Sequence, residues 1–395
     1  MPHPRRTLTW PAVVVLVALA TMAAACGSTP AEDAGEATEP TAAAAPSATA
    51  GTGAPATQSD EPTAAPTDVA SLAQEASPER AELLAEMAAD GPPLSLYTTL
   101  SVEDVDPVVA AFREQYGLEV EVYRALAPDV TARAANEILA GRPGFDVVWA
   151  NGQAMTNLEQ EEAFTSFVSA SADGIPEELI SSEVWMPTDV NYWSWAFNPD
   201  LITQEQAPST YQDLTAPEWS GQISLARYVD WFATVWGSMG EEAAQEFFTA
   251  LAANDPFITR PSFTLAQQFV STGEMPLTIS TTSSLAHREN TAGAPIQGYF
   301  PEGPTVARPN GAGWNSEGPS PSAGLLFSEF LLDSEGGQSV LSDIGRIPVH
   351  TAVEVDPPTL RAEDFVTVDF EAFVTEQAMW DERWEQIFGA EVFEG

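Results

Sequence analysis

Small, neutral polar side chains follow three apolar segments that are predicted to be strands, at 94–97, 145–149 and 276–279. They are Thr98, Thr99, Ser101, Asn151, Thr282, Ser283 and Ser284. Hydroxyl and amide groups donate and accept hydrogen bonds without carrying charge, which suits an oxyanion or a polar organic solute. The pattern predicts a ligand site built from strand ends.

Two arginines and a tyrosine extend this candidate site. Arg227 and Tyr228 follow a predicted strand at 223–225, and Arg260 precedes Ser262, the expected N-cap of a helix. A guanidinium beside a helix N-terminus forms an anion site, and a tyrosine ring can stack on a solute. A surface ion pair is the competing interpretation for each arginine, because the protein is very acidic.

The side chains offer little support for catalysis. Histidine occurs only at positions 3, 287 and 350, and cysteine only at 26, so a His-rich zinc centre and an internal disulfide are excluded. The sequence contains no G-x-S-x-G, no H-E-x-x-H and no Gly-Lys phosphate loop. Paired carboxylates of a lipid-anchored hydrolase stay open as an alternative. We predict a binding protein without a cofactor or bound metal.

The elements that must position these residues alternate between strand and helix. Strands are predicted at 94–97, 118–123 and 145–149, and amphipathic helices at 106–116 and 131–140. This β-α-β-α-β order predicts an α/β fold, a parallel sheet with helices on both faces. Such sheets bind ligands at the carboxyl ends of their strands, where the polar side chains lie. Further helices are predicted at 241–253, 262–272, 320–332 and 334–341.

The charge balance excludes several partners. The chain has 58 acidic residues against 14 basic ones, all of them arginine, and a formal net charge of −44. Such a protein repels nucleic-acid phosphates and anionic lipid surfaces. A salty exterior fits this composition, because the Debye length falls to about 3 Å at 1 M salt and self-repulsion is screened.

The N-terminal residues have the pattern of an export signal. Arg5 and Arg6 precede an apolar run at 12–25, which is too short for a permanent membrane span, and the run ends at Cys26. We predict a lipoprotein signal peptide over 1–25 with lipidation at Cys26, which would leave the protein on the outer face of the cell membrane. An ordinary signal peptide and a twin-arginine signal stay open. Residues 26–67 are rich in Ala, Thr, Pro and Glu, a composition that predicts a disordered tether. A lead-in helix is predicted over 68–91.

An ordered series of landmarks resembles the solute-binding proteins of ABC importers, in the branch that takes up ferric iron, thiamine and phosphonates. It includes Asn-Pro-Asp-Leu at 198–201, Phe-Leu-Leu-Asp-Ser-Glu-Gly-Gly-Gln at 330–338, and Gly-Arg-Ile-Pro-Val at 345–349. The resemblance implies a monomer with a two-lobed type 2 periplasmic-binding fold, a ligand in the cleft between the lobes and a membrane permease as partner. It also implies that 92–190 with 300–355 forms one lobe, and 191–299 with 356–395 the other.

The resemblance also bears on the ligand. Iron-binding members use a His, a Glu and two adjacent tyrosines, and these positions fall on Ser101, Asn151 and Ser283-Ser284. All are neutral here, whereas hard Fe(III) requires anionic oxygen donors. We expect a small polar, anionic organic solute, with a ferric-iron receptor as the alternative.

Overall fold

The computed structural model describes residues 68–77 and 79–395. The expected signal peptide, Cys26 and the tether lie outside these described residues. Within them, none of the helices is both long enough and apolar enough to cross a membrane.

The described residues form ten β-strands and twelve α-helices. The strands are β1 Leu94–Thr98, β2 Val120–Arg124, β3 Val147–Asn151, β4 Trp185–Phe197, β5 Ile223–Ala226, β6 Phe257–Thr259, β7 Leu277–Thr282, β8 Gln297–Tyr299, β9 Val306–Trp314 and β10 Val366–Thr367. The helices are α1 Val69–Ala73, α2 Arg80–Ala88, α3 Val102–Tyr116, α4 Ala127–Leu139, α5 Gly152–Gln160, α6 Val229–Met239, α7 Glu241–Ala253, α8 Phe263–Ser271, α9 Ser283–Thr291, α10 Pro321–Leu332, α11 Gly337–Asp343 and α12 Phe370–Phe388.

Strand β4 belongs to two sheet halves. Its first part pairs with β9 in the order β2-β1-β3-β9-β4, which we call lobe 1 together with the helices that cover it. Its last part pairs with β7 and β8 in the order β4-β7-β5-β6, which we call lobe 2. The neighbours of β1 and of β5 are parallel to them, which confirms the α/β class and the two-lobed fold.

The strand register places the carboxyl ends of the two halves at different points along β4. Asn151 at the end of β3 pairs with Asn310, and Asn310 pairs with Asp189 of β4. Thr282 at the end of β7 pairs with Trp193, four positions further along β4. At about 3.3 Å per residue, the two sets of strand ends lie about 13 Å apart along β4. The cleft between them is where the polar strand ends were expected to meet.

Helix α3 shows why the sequence folds this way locally. Ser101 is its N-cap, and its Oγ accepts a hydrogen bond from the Asp104 amide at 3.3 Å. The helix ends at Gly117, whose φ of 68° places it in the left-handed region that glycine tolerates. Val108 and Phe112 are fully buried against the sheet, so the apolar face predicted from the sequence is the packed one.

The lead-in segment contains two short helices, α1 and α2, and not the single helix expected over 68–91. Arg80 fixes it to lobe 1. The guanidinium is buried, its Nη2 lies 2.6 Å from Glu329 of α10, and its Nη1 donates to the carbonyl of Val168 at 2.7 Å. A buried charge is stable only when it is paired in this way, so this segment is an integral part of lobe 1.

Helix α12 packs against both lobes, touching α5 of lobe 1 and both α6 and α7 of lobe 2. Its buried residues Phe370 and Trp384 join the aromatic core of lobe 2. Phe370 also reaches lobe 1, because a Cβ placed on Gly152 would overlap its ring. The start of α12 therefore lies at the N-terminus of α5, beside the cleft.

Candidate functional site

In lobe 1, the predicted polar side chains bond mainly to the backbone around them. Thr98 Oγ1 donates to the Trp149 carbonyl at 2.7 Å, and Thr99 Oγ1 accepts from the Asn151 amide at 3.4 Å. Asn151 is the N-cap of α5, and its Oδ1 accepts from the Ala154 amide at 3.1 Å. Together with Ser101 at the start of α3, these residues shape the cleft edge and orient two helix N-termini.

The Thr-Ser-Ser run of lobe 2 starts helix α9 in a similar way. Thr282 is the N-cap, its Oγ1 accepts from the Leu285 amide at 3.2 Å, and it lies 3.3 Å from Ser284 Oγ. Ser283 Oγ donates to the Leu360 carbonyl at 2.6 Å and lines a cavity of about 350 Å³ with His287 and Asn290. All three residues of the run are buried.

The two predicted arginines have different surroundings. Arg260 is exposed, and its Nε donates to the Glu394 carbonyl at 2.7 Å. Arg227 lies at the end of β5, and its Nη2 is 3.2 Å from both Asp381 and Glu385 of α12. Both arginines therefore have acceptors from the C-terminal residues, and the ion pair that the sequence left open for Arg227 is present.

A cavity of about 340 Å³ opens between the lobes at the end of β5, and we call it the interlobe cavity. It joins α5 of lobe 1, the β5–α6 junction of lobe 2, strand β9 and helix α12. Its lining consists of Gln153, Arg227, Tyr228, Val229, Asp230, Pro261, Arg308, Phe373, Gln377 and Asp381. Of the predicted site residues, Arg227 and Tyr228 line this cavity.

Arg308 on β9 is the most informative lining residue. Its side chain is 10% exposed, and its Nε donates to Oδ2 of Asp230 on α6 at 2.5 Å. A guanidinium has five N–H donors, and no acceptor among the described residues bonds to its Nη1 or Nη2. The Nη1 and Nη2 donors of this nearly buried guanidinium are therefore left without an acceptor from the described residues, at the wall of the cavity.

Aromatic rings hold this guanidinium in position. The Arg308 Cζ lies 5.6 Å from the ring centre of Tyr228 and 5.8 Å from that of Phe370. Tyr228 itself stacks on Phe263 at 4.4 Å. Burial raises the pKa of Tyr228 to about 12, so its hydroxyl stays a protonated donor. Burial alone would lower the pKa of Arg308, but Asp230 beside it raises that pKa above its usual value.

A second network of charges lies at the other side of the cleft. Arg346 donates to Asp189 of β4 through Nε at 3.0 Å and through Nη2, and its Nη1 lies 3.2 Å from Asp104 of α3. Arg288 of α9 approaches Asp104 from lobe 2 at 3.5 Å. The Arg288 side chain is 39% exposed and links the two lobes through this contact.

Sequence reasoning missed Arg308 because it lies in a segment that does not look like a strand. The run from Val306 to Trp314 contains Pro309, Gly311 and Gly313. The glycines are required by packing, since a Cβ on Gly311 would overlap the ring of Trp185. The one available signal was that an arginine in a nearly apolar run needs a buried partner.

The residues present do not form a metal centre. In the part of the chain that the structure describes, no three His, Cys, Asp or Glu side chains lie close enough to hold a metal ion. The positions that would carry the ferric ligands hold Ser101, Asn151, Ser283 and Ser284, which are engaged in the hydrogen bonds given above.

Two α/β lobes around a polar cavity define a solute-binding protein. The chain belongs to the family of bacterial extracellular solute-binding proteins, whose family model matches residues 142–376, more than half of its length. No curated protein matches the chain in sequence.

Solved structures show the same fold. The periplasmic binding protein AfuA from Actinobacillus pleuropneumoniae, solved with fructose-6-phosphate, is 18% identical with a TM-score of 0.64, over 76% of this chain and 99% of its own. Iron-bound HitA from Pseudomonas aeruginosa is 19% identical with a TM-score of 0.63, over 74% and 99%. IdiA (FutA) from Trichodesmium, solved with iron and citrate, is 17% identical with a TM-score of 0.65, over 76% and 100%.

Proposed function

We propose that this protein is the substrate-binding component of an ABC importer and captures a small polar solute that carries an oxyanion. The observation behind this proposal is that Nη1 and Nη2 of Arg308, which lines a cavity shared by both lobes, have no acceptor among the described residues. Fixed N–H pairs of this kind match carboxylate and phosphate oxygens. The N-termini of α5 and α6 begin beside the same cavity and favour negative charge.

Hinge closure explains how the solute is held. β4 pairs with strands of both lobes, and a ligand that contacts Gln153 of lobe 1 and Tyr228 of lobe 2 binds best when the lobes are closed. The closed form then docks on a membrane permease and releases the solute. A hydrolase is the weaker alternative, because the two cavity carboxylates, Asp230 and Asp381, are each paired with an arginine.

Replacing Arg308 should weaken solute binding by about 100-fold, since two hydrogen bonds from a charged group contribute about 3 kcal/mol together. The variant is Arg308→Gln combined with Asp230→Asn, so that no unpaired charge is left buried. The solute is released from the purified protein, identified by mass spectrometry and titrated by calorimetry.

Arg260→Gln is the matched control, because it also removes one guanidinium but outside the interlobe cavity. It should bind the solute as the wild type does. Equal affinity of all three proteins would contradict the placement of the solute at Arg308.

We also propose that Cys26 carries the lipid that anchors the protein, as a monomer, to the outer face of the cell membrane. The support is the position of the single cysteine at the end of the apolar run. Cys26→Ser should move the protein from the membrane fraction to the soluble fraction and lower its mass by the lipid. Retention in the membrane fraction at an unchanged mass would rule out the anchor.

A ferric-iron receptor is the second candidate, because the solved relatives HitA and IdiA are described as iron-bound. No tyrosine pair occurs in this sequence, so we expect no tyrosinate-to-iron charge-transfer band when Fe(III) citrate is titrated into the purified protein. The measurement is the visible absorption spectrum together with metal analysis after gel filtration. A coloured complex with one tightly held iron per chain would favour this candidate over the organic solute.

A further inference from the structure

The interlobe cavity has two ends of different charge. At one end lie the unpaired N–H groups of Arg308 and the hydroxyl of Tyr228. At the other end, helix α12 presents Phe373, Gln377 and Asp381, which are spaced four residues apart and share one helix face. The cavity is therefore not a uniformly basic site.

The charges at the α12 end are not balanced. Arg227 contributes one positive charge, while Asp381 and Glu385 both contact its Nη2 at 3.2 Å. In the described structure, Asp381 accepts from Arg227 through Oδ1 alone. One negative charge remains in excess there, and a second carboxylate oxygen is open to a donor.

This imbalance selects against a simple anion. The charged lining residues Arg227, Asp230, Arg308 and Asp381 already balance, so an anionic solute bound at the fork would leave a net negative charge in a cavity that has Glu385 beside it. A solute with a positive group at its other end removes this repulsion. The rings of Tyr228 and Phe373 line the same cavity, and an ammonium group is attracted to the face of such a ring.

We infer that the solute is a zwitterion, with its oxyanion on the Arg308 fork and its ammonium group at Asp381 and Glu385. This inference rests on the proposed function and makes it more specific. In this inference α12 recognises the positively charged group of the solute, so the C-terminal helix determines which solutes bind.

The test compares solutes that differ only in the ammonium group. Phosphoethanolamine is paired with ethyl phosphate, and β-alanine with propanoate, and each is titrated into the wild type by calorimetry at constant ionic strength. In at least one pair, the zwitterion should bind at least 10-fold more tightly than the simple anion.

The Asp381→Asn and Glu385→Gln double variant should reverse this preference. It removes both carboxylates and frees Arg227, so the zwitterion should lose at least 10-fold in affinity while the simple anion gains. The two residues are 39% and 48% exposed in their side chains, so the fold should tolerate the change. The control is Glu119→Gln with Glu121→Gln, which removes two charges from the exposed edge at β2 and should leave the preference unchanged.

The outcomes separate the two proposals. If the simple anions bind as well as the zwitterions and binding still depends on Arg308, the zwitterion inference is wrong and the proposed oxyanion receptor stands. If solutes bind but Arg308 has no influence, the proposed site fails. If none of the four solutes binds at millimolar concentration, the inference is overturned for phosphate and carboxylate zwitterions of this size.

Discussion

Replacing Arg346 by methionine should lower the free energy of unfolding by about 3–5 kcal/mol, because it leaves the buried Asp189 without a cation and Asp104 with Arg288 alone, at 3.5 Å. Asp189 is fully buried and Asp104 nearly so. Arg346 is the residue that bonds to both. Asn310 Nδ2 also donates to Asp189 at 2.8 Å, but an amide carries no compensating charge. Urea unfolding followed by tryptophan fluorescence measures this loss.

Two further variants make this prediction specific. Arg383→Met removes an exposed pair with Glu241, whose side chain is 70% exposed, and should cost less than about 1 kcal/mol. Adding Asp104→Asn and Asp189→Asn to Arg346→Met should recover much of the lost stability, because no unpaired charge then remains. A loss at Arg346 no larger than that at Arg383 would mean that the network is solvated and not buried.

The Arg346 network also has a functional consequence. Asp189 lies on β4 four residues before Trp193, where pairing with β7 of lobe 2 begins, and Asp104 is shared with Arg288 of lobe 2. The same carboxylates therefore stabilise lobe 1 and help to set the distance between the lobes. The contacts that stabilise the hinge region are therefore also contacts that influence closure of the cleft.

The sequence predicted best the elements that are amphipathic and local. Helix α7 has the expected bounds, and the β-α-β-α-β order of lobe 1 is confirmed. Arg227 and Tyr228 were placed at a strand end and lie there, because the short apolar run of β5 is an unambiguous buried strand.

The segments that complete the interlobe cavity could not be read from the sequence. Strand β9, with Arg308, contains proline and glycine at positions that usually indicate a loop. Helix α12 is largely acidic and exposed, and its apolar residues fit no continuous stripe because it packs on both lobes. The pairing of Arg308 with Asp230 joins residues 78 positions apart, and no local pattern predicts such a contact.

The melting temperature should rise steeply with salt at low ionic strength and then level off. The formal net charge of −44 makes every compact state of this chain repel itself, and unfolding relieves that repulsion. Screening changes most where the Debye length falls from about 30 Å at 0.01 M to about 10 Å at 0.1 M, and little is left to gain beyond 1 M, where it is about 3 Å. The measurement is thermal unfolding in sodium chloride from 0.01 M to 2 M at pH 7, in wild type and in the Glu119→Gln, Glu121→Gln variant.

The shape of this curve identifies its cause. Salt that is excluded from the protein surface strengthens apolar burial in proportion to its concentration, so it gives a straight line that continues to 2 M. Charge screening gives a curve that saturates, and the variant with two fewer charges should start higher at 0.01 M and converge with the wild type at high salt. Sucrose, which is excluded but carries no charge, should reproduce the linear part alone. A melting temperature that is the same at 0.01 M and 1 M would mean that the acidic residues are spaced widely enough for water to screen them, and adaptation to a salty exterior would lose its physical basis.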